Sequence, residues 1–399
     1  MHSRSLLTIT LIPFLLTACT VQRSPVGPDT VVEFPDPALE SAIREHIGKP
    51  SGPITRGELA DIEHLNVDRL GIVDLDGIQA CVSLKHLGAY ANDIVDISPL
   101  ASLTNLEYIA LSKNHISDLA PLVSLTHLGS LYLGSNEITD ISLLSGLSSL
   151  SDLSVGSNPI TDVSPLTQLP ALQSLNLADI PAADLGPIRE LTNLRYLTCG
   201  CLNVTDYSAL ADLTNLERLT IQTGQLTSLD PVRRLSQLRR LWLSNHPITS
   251  LGDLSALTNL ETLAVQSTQI TSLEGLPETD SLKQLYLACN EIEDIGGVAD
   301  LPNLAYLFLS VNNIADLEPL SWLSELKSVW LSGNPITDLS PLVNNPSFAE
   351  GDRLVLPHEP NPNRVEDWDS QIAELEARGV TVGAANVLCG SMYCETANP

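Results

Sequence analysis

The stretch Leu106-Glu-Tyr-Ile-Ala-Leu-Ser-Lys-Asn114-His-Ile116-Ser-Asp118-Leu119-Ala-Pro121-Leu122 fits the chain again when it is shifted by 22 residues. Leu84, Leu106, Leu128, Leu150, Leu172, Leu194, Leu216, Leu238, Leu260, Leu282, Leu304 and Leu326 each open a copy, twelve in one register. The pattern L-x-x-L-x-L-x-x-N is a leucine-rich repeat. One repeat cannot bury its own leucines, so neighbours must stack and share a continuous core. A chain of 399 residues could hold two or three ordinary domains, but this periodicity calls for one elongated solenoid. With 43% hydrophobic and only 4% aromatic residues, the core must be built from Leu, Ile and Val.

Side chains alternate along a strand, so Leu106, Ile109 and Leu111 point inward from a short strand. Asn114 turns the chain, and a buried Asn there can bond backbone groups of the adjacent turn. Ile116 and Leu119 fill the layer below. Asp or Ser caps the next turn, and Pro121 suits a first helical position. The expected α/β fold is a solenoid with a parallel sheet on its concave face and short turns or 3-10 segments on its convex face. Twelve strands at ~4.8 Å give a sheet roughly 55 Å long. The Asn column runs Asn92, Asn114, Asn136, Asn158, then Ile180, Leu202, Gly224, His246, Thr268, then Asn290, Asn312, Asn334. Drift with local repacking accounts for the gap; the sharper reading is a less regular, more adaptable middle.

Both ends differ from the repeat. Residues 1–18 read as a signal peptide: Arg4 in the n-region, an apolar stretch from Leu6 to Leu16, then small residues. The apolar stretch is too short to span a bilayer. Leu16-Thr17-Ala18-Cys19 resembles the lipobox of bacterial lipoproteins, which implies lipidation at Cys19. By the same resemblance, Thr20 in place of Asp favours the outer membrane. A lipid would supply membrane affinity without a membrane-binding protein face. Residues 19–33 read as a flexible tether. Residues 34–78 read as a helical N-terminal cap with a degenerate first repeat, because an uncapped terminal repeat would expose its leucines. That cap has a helix from Pro37 and a Thr55/Glu58 capping box opening a helix through Ile62. Repeats fill 79–342, and 343–399 form an α/β C-terminal cap and tail.

The net charge of −28 repels nucleic-acid phosphate and anionic lipid, so no nucleic-acid partner is expected. Six cysteines follow Cys19 in an exported, oxidising setting. Cys389 and Cys394 lie five apart and could form a disulfide; Cys81, Cys199, Cys201 and Cys289 cannot be paired from sequence. No Gly-x-Ser-x-Gly, His-Glu-x-x-His or phosphate-binding loop is present. Cys199-Gly-Cys201 lacks a second pair for zinc. The column Asp96, Asp118, Asp140, Asp162, Asp184, Asp206, Asp294, Asp316, Asp338 reads as turn capping, since calcium loops need denser acidic spacing. No catalytic residue, metal or cofactor is expected.

The repeats, especially Asn136-Glu-Ile-Thr-Asp140-Ile and Asn334-Pro-Ile-Thr-Asp338-Leu-Ser-Pro341-Leu, resemble the 22-residue class of internalins and related bacterial surface proteins. The resemblance covers about residues 34 to 385. It implies a right-handed horseshoe that presents its concave face to a protein partner, without catalysis or cofactor. The partner's identity is not implied. The usual cell-wall attachment signals of that family are lacking, and the lipid would replace them.

Nine of the sixteen aromatics fall on outward strand positions: Tyr90, Tyr108, Tyr132, Tyr196, Trp242, Tyr286, Tyr306, Phe308 and Trp330. Trp242, Tyr286, Phe308 and Trp330 share one column, broken only by Ala264, over roughly 19 Å. Continuous exposed aromatics mark interfaces; the competing explanation is that aromatics suit strands and cover backbone there. Arg218 and Arg240 are neighbours on the same face, with Arg195 and Arg239 at its edge and Arg233-Arg234 in the preceding turn. Arginine beside Trp suits carboxylate or acidic-sugar recognition; local charge balance against Glu217 and Asp230 is the competing explanation. The expected partner site is Arg218, Arg240, Trp242, Tyr286, Tyr306, Phe308 and Trp330. The reading is a monomeric, lipid-anchored envelope protein that binds another protein; the alternative is an envelope carbohydrate-binding module using the aromatic stripe.

Overall fold

A computed structural model describes residues 27–200, 203–357, 367–385 and 389. The signal segment, Cys19, Cys201 and Cys394 lie outside the described residues. Fifteen parallel strands form one sheet whose spatial order is the chain order. The degenerate repeat supplies β1 (His64–Asn66). The first four full repeats give β2 (His86–Gly88), β3 (Tyr108–Ala110), β4 (Ser130–Tyr132) and β5 (Asp152–Ser154). The next five give β6 (Ser174–Ala178), β7 (Tyr196–Gly200), β8 (Arg218–Gln222), β9 (Arg240–Ser244) and β10 (Thr262–Gln266). The last three give β11 (Gln284–Tyr286), β12 (Tyr306–Phe308) and β13 (Ser328–Trp330). The C-terminal cap adds β14 (Arg353–Leu356) and β15 (Thr381–Ala384). Register pairs equivalent residues of successive repeats, as in Ile109↔Leu131 and Leu307↔Val329.

The inward leucines meet in one continuous core. Leu106, Ile109, Leu111, Ile116, Leu119 and Leu122 are all buried to within 1% exposure. Truncating any of them to Ala would cost ~2–5 kcal/mol, because the stacked layers cannot collapse into the cavity. On the convex side each acidic column residue accepts a backbone N–H two residues on: Ser98 N to Asp96 at 2.7 Å, Ala120 N to Asp118 at 2.8 Å, Gly296 N to Asp294 at 2.7 Å. A 3-10 segment follows each of these turns. Where Ser228, Ser250 and Ser272 replace Asp, plain turns take its place.

The gap in the Asn column changes the sheet in a way opposite to the adaptable-middle reading. Asn136 accepts from Ile116 N at 3.0 Å and donates to Leu111 O at 3.0 Å and Leu133 O at 2.9 Å. Its neighbour Asn114 also donates to Leu111 O. These amides occupy the carbonyl that would otherwise accept the next strand's N–H, and the pairing stops after three residues. The five repeats without Asn are the five with five-residue strands, β6 to β10. There the ladder runs on, through Leu177↔Cys199 and Leu243↔Val265. The middle is therefore more regular on its strand side. At His246, 3% exposed, the imidazole stands in for the amide. Its Nδ1 accepts from Leu226 N at 3.4 Å and its Nε2 bonds Ile221 O at 3.1 Å, the places Asn uses in other repeats. Gly224 leaves room for this ring and for Tyr207, which fills an aliphatic slot beneath.

The N-terminal cap is tied down by Asp36. One carboxylate oxygen accepts Ala38 N and Leu39 N at the start of α1 (Pro37–Ile47), and the other accepts Val73 N and Asp74 N of the degenerate repeat. Burial pushes the Asp36 carboxyl up, but four backbone donors outweigh it and hold it below the usual range. The capping box at Thr55 and Glu58 opens α2 (Arg56–Leu59), which stops three residues before Ile62. Residues 28–32, assigned by sequence to the tether, are hydrogen-bonded to the cap through Val32 N to Ile54 O and Gly57 N to Pro28 O.

At the other end α3 (Ser340–Asn344) and α4 (Trp368–Ala377) close the core over Phe348 and Trp368. Gln371 of α4 accepts from Leu339 N and donates to Asp338. The disulfide differs from expectation: Cys389 pairs with Cys289, not Cys394, with the Cα atoms 5.7 Å apart. Cys289 occupies the left-handed turn position after β11. Nearness in sequence misled, because the chain beyond β15 doubles back to an earlier repeat.

Candidate partner-binding face

Alternation places every second strand residue on the concave face, in columns that run across the strands. The column through Thr220, Trp242, Ala264, Tyr286, Phe308 and Trp330 is continuous by register. Its rings touch in series: Trp242–Tyr286 with centroids 5.0 Å apart, Tyr286–Phe308 at 4.4 Å and only 11° from parallel, Phe308–Trp330 at 5.5 Å. Ala264 is no interruption, because Trp242 and Tyr286 close over it and leave it 1% exposed. Each contact of this kind contributes about 0.5–1.5 kcal/mol beyond area burial. The Tyr286 hydroxyl bonds Gln284 at 3.5 Å, and the Trp330 indole N–H bonds Ser328 at 3.2 Å. Both groups belong to the adjacent column, which also carries Tyr306 at 38% exposure. Burial raises the Tyr286 phenol above its ordinary pKa, followed by the charge of Tyr306.

Arg218 and Arg240 are register partners on β8 and β9, and both are exposed. Their neighbours at the edge are neutralised: Arg195 pairs with Glu217 at 2.6 Å and Arg239 with Glu261 at 2.7 Å. Arg233 lies 3.4 Å from Asp230. Local charge balance therefore consumes Glu217 and Asp230 on other arginines. Among the described residues neither Arg218 nor Arg240 has an ion-pair partner. Arg218 instead lies 5.6 Å from the Tyr196 ring centre, which Arg195 also approaches, at 5.5 Å. A shallow open groove of about 480 Å³ runs beside them, lined by Gln173, Asn193, Arg195, Asn215, Glu217 and Gln237. The structure thus brings Trp242, Tyr286, Phe308 and Trp330 into one stack, sets Tyr306 beside it, and places Arg218 and Arg240 at its N-terminal end.

Two features were not read from the sequence. Arg353 of β14 covers the Trp330 ring at 5.1 Å and extends the stripe into the cap. His64 of β1 stacks on His86 at 4.5 Å, and His86 continues through Tyr108 to Tyr132. Counting His64 into the first column 22 residues before His86 would have found it; the degenerate repeat concealed the register.

Comparison with known proteins agrees with this architecture. The family of Leucine Rich repeats (2 copies) matches residues 82–124, 104–149, 126–168, 236–278, 280–322 and 302–344. A comparison with curated sequences finds no match. Among solved structures, an internalin of Listeria monocytogenes (InlF) is 30% identical over 89% of this chain and 96% of its own, with a TM-score of 0.70. The chain belongs to the internalin-like bacterial leucine-rich-repeat proteins. The functional domain of InlJ of Listeria monocytogenes, which includes a cysteine ladder, shares the fold at 24% identity over 84% of each chain, TM-score 0.58. A leucine-rich-repeat protein of Leptospira interrogans does so at 20% identity over 82% of this chain and 97% of that one, TM-score 0.63. An internalin-like solenoid of this kind is a non-catalytic scaffold, and its concave face is where a partner protein is bound.

Proposed function

We propose that this internalin-like protein binds a protein partner through the concave face from β8 to β13, and that a lipid on Cys19 holds it at the bacterial cell envelope. The observation that carries the binding reading is the continuous ring stack ending at Arg218 and Arg240, two guanidinium groups without an ion-pair partner among the described residues in a chain of net charge −28. A partner segment with carboxylates over the arginines and apolar side chains along the stack matches both halves of the surface.

The ring geometry favours protein over carbohydrate. A sugar stacks on a free aromatic face. Tyr286 and Phe308 cover each other's faces at 4.4 Å and present their edges outward, and edges suit apolar and polar side chains. The test is capture of partners from envelope and host-cell extracts, beside a glycan array, with the wild type and a Trp242→Ala/Trp330→Ala variant of unchanged melting temperature. The expected result is a captured protein that the variant loses. Equal capture by both, or binding to glycans alone, would refute the reading.

The anchor reading rests on Leu16-Thr17-Ala18-Cys19. No helix among the described residues is long and apolar enough to cross a membrane. Metabolic labelling with a fatty-acid analogue should mark the wild type and leave Cys19→Ser unmarked; label retained by the variant would overturn it.

A further inference from the structure

We infer that Tyr90, Arg69 and Lys113 form a separate binding site at the N-terminal end of the sheet, one for a phosphate monoester. Tyr90 follows β2, six strands before Arg218 on β8. The site therefore lies roughly 29 Å along the face from the arginines of the partner surface.

The repeat backbone brings the three side chains together. Tyr90 is the last outward residue before its turn, and its N–H donates to Asp68 Oδ1 at 2.7 Å. Arg69 and Lys113 occupy the left-handed turn position of the repeats before and after, each at φ 59°. Their backbone N–H groups are used by Tyr90 O and Gly134 O, both at 2.8 Å. Both side chains lean on the one ring: the Arg69 guanidinium carbon and the Lys113 ammonium each lie 5.4 Å from its centroid. Ala91 is the turn residue between them, and Gly88, Ala110 and Ser112 are the outward neighbours on the strands. These small residues add little bulk beside the phenol.

The charges at this ring are uncompensated. Among the described residues neither Arg69 nor Lys113 has an ion-pair partner. The neighbouring acids are engaged elsewhere: Asp68 accepts the Tyr90 N–H, Asp93 and Glu137 flank His115 at 3.8 and 3.1 Å, and Glu63 pairs with Lys85 at 2.9 Å. Tyr196 repeats the motif with Arg195 and Arg218, but there Glu217 takes Arg195. The Lys113 ammonium, joined by Arg69, holds the Tyr90 phenol below its usual range, against a smaller opposing effect of burial. The local potential is thus positive in a chain of net charge −28. Physiological salt screens exposed charges beyond about 8 Å, so the two adjacent cations outweigh the distant carboxylates.

The donor set selects the ligand. A carboxylate neutralises one cation and leaves the other. A phosphate monoester brings three acceptor oxygens and close to two negative charges. The guanidinium, the ammonium and the phenol O–H are three donors with two positive charges. Charge-assisted bonds of this kind are the strong ones.

The experiment titrates the full chain with N-acetyl-O-phosphoserine methylamide and with glucose 1-phosphate, beside N-acetylglutamate methylamide as the carboxylate control. NMR follows the Tyr90 ring and the Arg69 Nε–H resonances. The expected result is a saturable shift with a phosphate monoester, at an affinity about tenfold or more above that for the glutamate control. The affinity should fall about tenfold or more in Arg69→Ala/Lys113→Ala of unchanged melting temperature. It should stay unchanged in Arg218→Ala/Arg240→Ala, which keeps this site distinguishable from the partner surface. The arm that binds tells whether the ester is carried by a protein or by a sugar; binding of both shows that the phosphate alone is read. No saturable shift at Tyr90, equal affinity for the glutamate control, or an affinity that survives Arg69→Ala/Lys113→Ala overturns the proposal.

Discussion

Asn136→Ala tests the most repeated interaction in the molecule. Asn136 is 8% exposed and makes three bonds to backbone. They are not equivalent. Leu111 O keeps a second donor in Asn114, and Leu133 O keeps one in Asn158. Among the described residues Ile116 N has no other acceptor, and it becomes a buried unpaired donor. An unsatisfied buried N–H costs ~1–3 kcal/mol, and the weakening at the two shared carbonyls adds up to about 1 kcal/mol more. The expected loss is therefore about 1–4 kcal/mol, read from urea denaturation of both proteins at one pH. Amide exchange at Ile116 should lose its protection while amides in β9 and β10 keep theirs, since coupling in a solenoid is between neighbours. A loss below ~0.5 kcal/mol with Ile116 still protected would refute the reasoning, because the ladder would then be dispensable.

Three further outcomes follow from the same geometry. Burial, against the smaller opposing effect of the backbone bonds, lowers the His246 pKa below its unfolded value of about 6.5. The unfolded chain then binds more protons, so this contribution is complete above about pH 6.5 and is lost as pH falls below it. Urea melts at pH 7.5 and 5.5 should show a pH-dependent loss that shrinks in His246→Asn; equal losses would contradict it. Gly224→Ala drives a methyl into the Tyr207 hydroxyl and within 2.9 Å of His246 Cε1, and should cost about 1–3 kcal/mol, partly restored by Tyr207→Phe. Additive effects in that double mutant would show that the hydroxyl is not the obstacle. Asp36→Ala removes a helix N-cap and a tie to the degenerate repeat, and should cost about 1–3 kcal/mol with the loss confined to exchange in the N-terminal cap. At low pH the difference should narrow, since the depressed carboxyl contributes above its unfolded pKa and stops contributing once protonated.

The fold was legible because one period governs most of the chain: Leu, Ile and Asn at fixed offsets dictate strand, turn and layer in every repeat. The terminal elements were readable from capping chemistry, as at Thr55 and Glu58. What escaped depended on two repeats at once. The missing Asn read as drift or as a more adaptable middle, yet without it the sheet ladder runs on through Leu177↔Cys199. The role of His246 was hidden, since nothing in its own repeat reveals that it meets Ile221 and Leu226. The cysteine pairing was hidden because Cys289 and Cys389 are 100 residues apart and only the fold brings them together. Of the candidate site, the columns were readable from alternation. The closure of two rings over Ala264 and the occupation of Arg195 and Arg239 by glutamates required coordinates.

The central claim is that the ring stack and its two open arginines form the partner surface. A photoreactive residue placed at Tyr286 tests it against the same residue placed at Trp322, an aromatic 77% exposed on a convex 3-10 segment. Both positions are applied to envelope and host-cell extracts under one protocol. The account predicts a discrete protein crosslinked from position 286, competed by unlabelled wild type and not by Arg218→Ala/Arg240→Ala, with no such product from position 322. The same product from 322 with none from 286 would contradict it.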